Sequence, residues 1–289
     1  MKRLALLLVT MGIVSGGAMA ETPKLEVTNF GQEIEVENSD SGLGDIDSIY
    51  FANTVGLKYG TWSFGVQGGK FWSWDSEKGF NSENARLQID VWKQMTENLK
   101  LGYRLRAQEQ YDRHYVRWSY MDGMFWSTGD VWYEATNKNG AGSPDWYKTE
   151  IYPIGIKYED LKIGYFLNYN RVAGNVHDGE QKDYIEHQIR AYYPLYKGEK
   201  FTLNFEARVT LNADSNYKGD DVGYRHYDNF GRTRLYLRPS YKVSDALTIY
   251  GYYGYEFKDY KYENGQTRAD YHKESDNYQD IGIGWNYKF

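Results

Sequence analysis

The chain has no cysteine, only 5 prolines in 289 residues, and beyond its amino terminus no apolar run approaching the roughly 18 to 20 residues that a membrane helix needs. Each absence removes a class. Without Cys there is no disulfide framework, thiolate nucleophile or zinc–thiolate site. The lack of any Pro-rich or low-complexity stretch leaves no linker at which to divide the chain, which predicts a single domain. Basic residues do not predominate, with 34 Lys and Arg against 40 Asp and Glu. This argues against a nucleic-acid partner, because phosphate binding rests on cationic excess. With no spanning helix past the amino terminus, membrane residence requires a closed barrel, where strand pairing satisfies the backbone donors and acceptors.

What is abundant fits that alternative. Aromatic residues make up 18% of the chain, including 30 Tyr and 9 Trp. Such amphipathic rings collect at both membrane interfaces. A mean hydropathy of −0.76 is no objection, since half of every barrel strand faces water. Met1 to Ala20 carries Lys2 and Arg3, an apolar stretch from Leu4 to Val14, and Ala18-Met19-Ala20. That pattern predicts a secretory signal peptide over 1–20, cleaved before Glu21, and a barrel over 21–289. Without Lys2 and Arg3 the 34 basic residues fall to 32 against 40 acidic ones, a formal charge of −8.

The final ten residues are the most telling. Ile281, Ile283, Trp285, Tyr287 and Phe289 alternate with Gly282, Gly284, Asn286 and Lys288, placing an apolar face opposite a small and polar one. The same grammar recurs along the chain. Leu99, Leu101, Tyr103, Leu105 and Ala107 point one way and Lys100, Gly102, Arg104, Arg106 and Gln108 the other. The spacing predicts strands near 25–37, 48–59, 62–72, 84–94, 99–111, 114–120, 124–135, 146–158, 161–171, 183–195, 200–211, 229–242, 247–258 and 277–289. The predicted fold is therefore an all-β, transmembrane antiparallel β-barrel of fourteen strands, with short periplasmic turns and longer extracellular loops. A parity shift in the first strand predicts a bulge around Asn29-Phe30-Gly31. The sixth and seventh strands depend on Asp122-Gly123 as a two-residue turn; without it the count falls to twelve.

Several stretches carry a family resemblance. Gln188-Ile189-Arg190-Ala191-Tyr192-Tyr193-Pro194-Leu195, a strand with Arg232 and Arg234, Tyr252 to Phe257, and the closing Gly282-Ile283-Gly284-Trp285-Asn286-Tyr287-Lys288-Phe289 resemble the OmpG-type monomeric porins. The likeness covers roughly the last hundred residues, and the earlier ones by architecture only. A weaker one is to oligogalacturonate-specific porins. The first resemblance implies passive diffusion of small hydrophilic solutes, sugars included, through a single chain in the bacterial outer membrane. The strand ending at Phe289 also resembles the terminal signal read by the barrel-assembly machinery. Some members of the family close at low pH through a His pair; His226 has no His on the following strand to oppose it, so that gate is not carried over.

Parity assigns lumen positions directly. Arg86, Asp90, Arg104, Arg106, Glu186, Arg190, Glu206, Arg208, Arg232, Arg234, Arg238 and Glu256 are predicted to line the interior, with Lys58, Lys100 and Lys162 beside them. Glu33, Glu35 and Glu37 join them if the first strand keeps its register. Charge there meets water, whereas at the bilayer midplane each Arg or Lys would cost roughly 2–4 kcal/mol. Two roles are open: a charged constriction that filters solutes, or cross-strand pairs that stiffen the wall. Tyr236, Tyr250 and Tyr252 face inward too, to stack on sugars or to pack over inward glycines such as Gly102, Gly164, Gly282 and Gly284. Acids in 39–47, 212–228 and 259–276 read as solvated loops at the mouth; no EF-hand pattern accompanies them.

No cofactor and no metal site is predicted, and the partners expected are outer-membrane lipid and small solutes. The five His residues, His114, His177, His187, His226 and His272, form no local triad pattern, and G-x-S-x-G is missing. An enzyme is therefore disfavoured. The stronger alternative is a non-conducting adhesive or structural barrel that works through its loops.

Overall fold

The computed structural model describes residues 23–39, 45–137, 144–218, 224–227, 230–263 and 272–289. The signal peptide expected over 1–20 lies outside them. The first strands are β1 (Leu25–Ser39), β2 (Ile46–Tyr59), β3 (Trp62–Asp75), β4 (Gly79–Gln94) and β5 (Leu99–Gln108). Next come β6 (Tyr111–Asp122), β7 (Phe125–Thr136), β8 (Asp145–Tyr158), β9 (Leu161–Ala173) and β10 (Gln181–Lys197). The last are β11 (Phe201–Tyr217), β12 (Tyr224–Tyr227), β13 (Arg232–Lys242), β14 (Leu247–Glu263) and β15 (His272–Lys288). Every strand pairs antiparallel with its neighbours, and β1 pairs with both β2 and β15, so the sheet closes on itself. Both β12 and β13 lie between β11 and β14, and together they make one stave. The barrel has fourteen staves.

Closure explains where the residues go. The outward row of β15 includes Ile281 and Ile283, both well exposed, and Leu235, Leu237, Ile249 and Tyr253 continue the same surface around the wall. The inward row holds the most buried side chains, among them Tyr50, Tyr115, Trp126, Phe166 and Tyr236. Among the described residues no helix is long and apolar enough to cross a membrane, which says nothing against crossing by strands.

Four expectations need correction. The stave expected over 229–242 is interrupted: Phe230 takes a positive φ of 65° before β13 begins at Arg232. A bulky residue in that region breaks a strand. The turn between β6 and β7 is Gly123-Met124, not Asp122-Gly123, because Asp122 pairs with Phe125. A tight hairpin needs a positive φ at its first central residue, and Gly123 supplies it at 55°. The bulge in β1 falls at Thr28, between Val27 paired with Leu57 and Asn29 paired with Gly56. Finally, β11, β14 and β15 run several residues past the expected strand ends. Asp214, Asp259, Glu263, Glu274 and Asp276 therefore belong to strands rather than loops. Backbone pairing continues after the outward apolar pattern stops, since water does not forbid a sheet. Asp40, Asp220, Asp221, Asp228 and Asp270 lie outside the described residues.

Candidate functional site

The inner face divides into three arcs. On β4 to β8 the alternation puts Arg and acid on facing rows. Asp90 is opposite Arg104 and Arg117 opposite Asp130 in the backbone register. Arg104 Nε donates to Asp90 Oδ1 at 2.7 Å, and Arg117 bridges Asp90 at 2.5 Å and Asp130 at 2.7 Å. Arg106 donates twice to Gln88, at 3.0 and 2.9 Å, and Gln88 donates to Asp90 at 2.9 Å. Glu134 is shared by Arg113 and by Lys148, the latter at 3.0 Å. Arg86 donates to the Tyr50 hydroxyl at 3.2 Å and lies 4.0 Å from the centre of that ring.

A second arc, on β9 to β14, repeats the scheme with the acids deeper. Glu256 is 1% exposed and takes both Arg232, at 2.5 Å, and Arg234. Arg232 also reaches Glu186 at 3.2 Å. Glu206 takes Arg208 at 2.6 Å and Arg238 at 3.0 Å. Gln188 and Thr210 complete the donors around Glu186, and Gln188 accepts from Arg190 at 2.7 Å. Arg190 stacks 3.3 Å from the Phe166 ring centre. Every buried acid here is thus matched by guanidinium or amide donors, as burial requires. A polar cavity of about 360 Å³ opens beside this arc, edged by Trp146, Lys148, Tyr184, Tyr217, Arg232 and Lys258.

The third arc is different. Where β14, β15 and β1 meet, acids are met by phenols. Tyr250 donates to Glu33 at 2.9 Å, Tyr252 to Glu35 at 2.8 Å, Tyr278 to Glu37 at 2.6 Å and Tyr236 to Asp280 at 2.8 Å. The register makes this possible: Tyr250, Gly284 and Glu33 lie in one row, and Tyr252, Gly282 and Glu35 in the next. The rings of Tyr250, Tyr252 and Tyr236 each cross a strand over a glycine, whereas Tyr278 reaches Glu37 on the adjacent strand. A Cβ on Gly282 would stand 2.3 Å from the Tyr252 ring. Tyr236 covers Gly254 and Tyr250 covers Gly284 in the same manner, while Trp92 covers Gly102 and Trp126 covers both Gly155 and Gly164. Tyr236, Tyr250 and Tyr252 therefore cover glycines in the wall, and their hydroxyls are committed to carboxylates.

Of the residues expected from parity, Arg86, Asp90, Arg104, Arg106, Glu186, Arg190, Glu206, Arg208, Arg232, Arg234, Arg238 and Glu256 have their contacts within these arcs. Missed were Gln88, Arg113, Arg117, Asp130, Glu134, Lys148 and Asp280, several of which complete the ion-pair rows. Their signal was present: Arg113, Tyr115 and Arg117 alternate with exposed Val116, and Asp130 alternates with exposed Val131. His114 and His187 stand against Tyr103 and Tyr165, at 2.8 and 2.6 Å, in rows shared with outward Leu105 and Leu167 rather than in the lumen.

No protein-family model and no curated protein matches this sequence. Solved structures do. A bacterial polysaccharide outer membrane secretin is similar at 9% identity and a TM-score of 0.54, over 90% of this chain and 98% of that one. The chain has the fold of an outer-membrane β-barrel. Further likenesses are to OmpT, an outer membrane protein of Vibrio cholerae (12% identity, 95% and 100% covered, TM-score 0.46), and to an anion-selective porin from Comamonas acidovorans (12%, 92% and 100%, 0.44). At such identities the likeness is one of architecture.

Proposed function

We propose that this chain is a porin of the bacterial outer membrane, through which small hydrophilic solutes, ions and saccharides among them, diffuse passively. The observation that carries the reading is the division of the closed wall. Ile283 is 61% exposed outward, and its sequence neighbour Gly282 lies inward beneath Tyr252, in a row of paired charge and phenol. An outer surface of that kind is stable against lipid and an inner one against water. On this reading the signal peptide is removed, the barrel-assembly machinery reads the strand ending at Phe289, and one chain forms one pore without oligomerising. The Arg rows and the acid–phenol arc act together as the filter. Because most lumen cations are already paired, ion selectivity is weak.

The test is single-channel current from the refolded chain in a planar bilayer under a salt gradient. Single-step conductance is expected. Arg104→Gln with Arg117→Gln shifts the reversal potential toward cations, and Glu33→Gln with Glu35→Gln shifts it toward anions. Three equal steps would indicate a trimer. Silence from folded protein would move the reading to an adhesive barrel. Cysteines at positions 104 and 234 are expected to react with a membrane-impermeant reagent, and those at 105 and 235 to be shielded.

A further inference from the structure

The place where the chain closes on itself carries an unusual concentration of carboxylate. Glu35 and Glu37 on β1 and Asp280 on β15 each bring an oxygen within 4.8 Å of the others. None forms an ion pair among the described residues. The neighbouring guanidiniums are directed elsewhere: Arg234 lies 4.4 Å from the Tyr278 ring centre and is held by Glu256, and Arg238 lies 5.1 Å from the Tyr252 ring centre and is held by Glu206. Asp280 is 5% exposed, and its Oδ1 has no hydrogen-bond partner. A buried carboxylate oxygen without a donor is costly unless a cation meets it.

The phenols sharpen the geometry. Tyr252, Tyr278 and Tyr236 each hold one oxygen of Glu35, Glu37 and Asp280. One oxygen of each acid is fixed and the other is left over, which is how an outer shell orients the ligands of a metal. The span also fits. Ca²⁺ binds carboxylate oxygens at roughly 2.3–2.6 Å, so ligands on opposite sides of one ion are about 5 Å apart. The negative charge and all-oxygen donor set favour a hard divalent cation over a transition metal.

We infer that Glu35, Glu37 and Asp280 form a calcium-binding site on the lumen wall, which joins the first strand of the barrel to the last. Tyr252, Tyr278 and Tyr236 position its ligands. The site clamps the two strands at opposite ends of the sheet's sequence order, β1 and β15, and it does not depend on whether the barrel conducts. Binding only the folded barrel, Ca²⁺ stabilises it by mass action.

The test uses the refolded chain in zwitterionic detergent free of lipopolysaccharide, with Tb³⁺ as a luminescent probe excited through tyrosine and Ca²⁺ as competitor. Wild type is expected to show a Ca²⁺-displaceable Tb³⁺ signal and an unfolding midpoint that rises with Ca²⁺. Asp280→Asn loses both responses, Tyr252→Phe weakens the Ca²⁺ affinity by about tenfold or more, and Asp75→Asn, at the end of β3, keeps wild-type behaviour. Should Asp280→Asn fail to fold, Glu37→Gln carries the same expectation. Folded Asp280→Asn or Glu37→Gln with wild-type Tb³⁺ signal would overturn the site. So would a wild-type midpoint that responds to acid and not to Ca²⁺, which would assign the cluster to a shared proton.

Discussion

Two parts of one wall solve the same problem in different ways. On β9 to β14, buried Glu206 and Glu256 are each neutralised by two arginines. Across β14, β15 and β1, Glu33, Glu35, Glu37 and Asp280 have no ion pair among the described residues and are met by the hydroxyls of Tyr250, Tyr252, Tyr278 and Tyr236. The first arrangement balances charge locally, and each member is needed by its partners. The second spreads negative charge along the closing strand pair, with phenols that orient acids without cancelling them. Sequence spacing decides between the two. An arginine is long enough to reach an acid on an adjacent strand. A tyrosine reaches two strands away only because Gly282 and Gly284 leave the intervening row open.

The contrast can be broken from either side. The largest effect is expected from Glu256→Ala, which leaves Arg232 and Arg234 facing each other without their shared carboxylate. A loss of about 3 kcal/mol is expected from urea unfolding in detergent or lipid, near the lower end for breaking a buried pair because water in the lumen screens part of it. Gly282→Val should cost about 2 kcal/mol through overpacking, since the new Cβ meets the Tyr252 ring at 2.3 Å and must displace it; a Tyr252→Ala background should recover part of that loss. Tyr250→Phe keeps the ring over Gly284 and removes one hydrogen bond to Glu33, for about 1 kcal/mol in the same assay. Smallest, and opposite in sign, is Glu35→Gln in Ca²⁺-free buffer, which relieves repulsion among adjacent acids and should raise stability by about 0.5 kcal/mol. If Glu35→Gln destabilised the barrel as strongly as Glu256→Ala, the two arcs would not differ as described.

The outward and inward faces were legible because the period of a strand is two and lipid tolerates one kind of residue. Leu99 to Gln108 and Asp280 to Phe289 state their faces without help, and the lumen positions of Arg104, Arg232 and Glu256 follow from counting. The reading fails where that contrast fades. Past the membrane the outward side chains no longer need to be apolar, so the upper parts of β11, β14 and β15 look like loops although their backbones stay paired. In β6 and β7, Arg113, Arg117, Asp130 and Glu134 obey the same parity, but a strand taken to begin at residue 114 leaves Arg113 out.

Alternation, an amphipathic composition and a count of hairpins, all local properties of the chain, determined the barrel, its fourteen staves and the sign of each face. Which charges meet was decided only by closure. Asp280 follows Glu35 by 245 positions, and the two come together because β15 pairs with β1 in a register that sets Glu35 opposite Gly282 and Glu37 opposite Asp280. Parity fixes the face a side chain takes, whereas its neighbour across the strands depends on the stagger of the whole ring, which a one-residue bulge such as the one at Thr28 is enough to change.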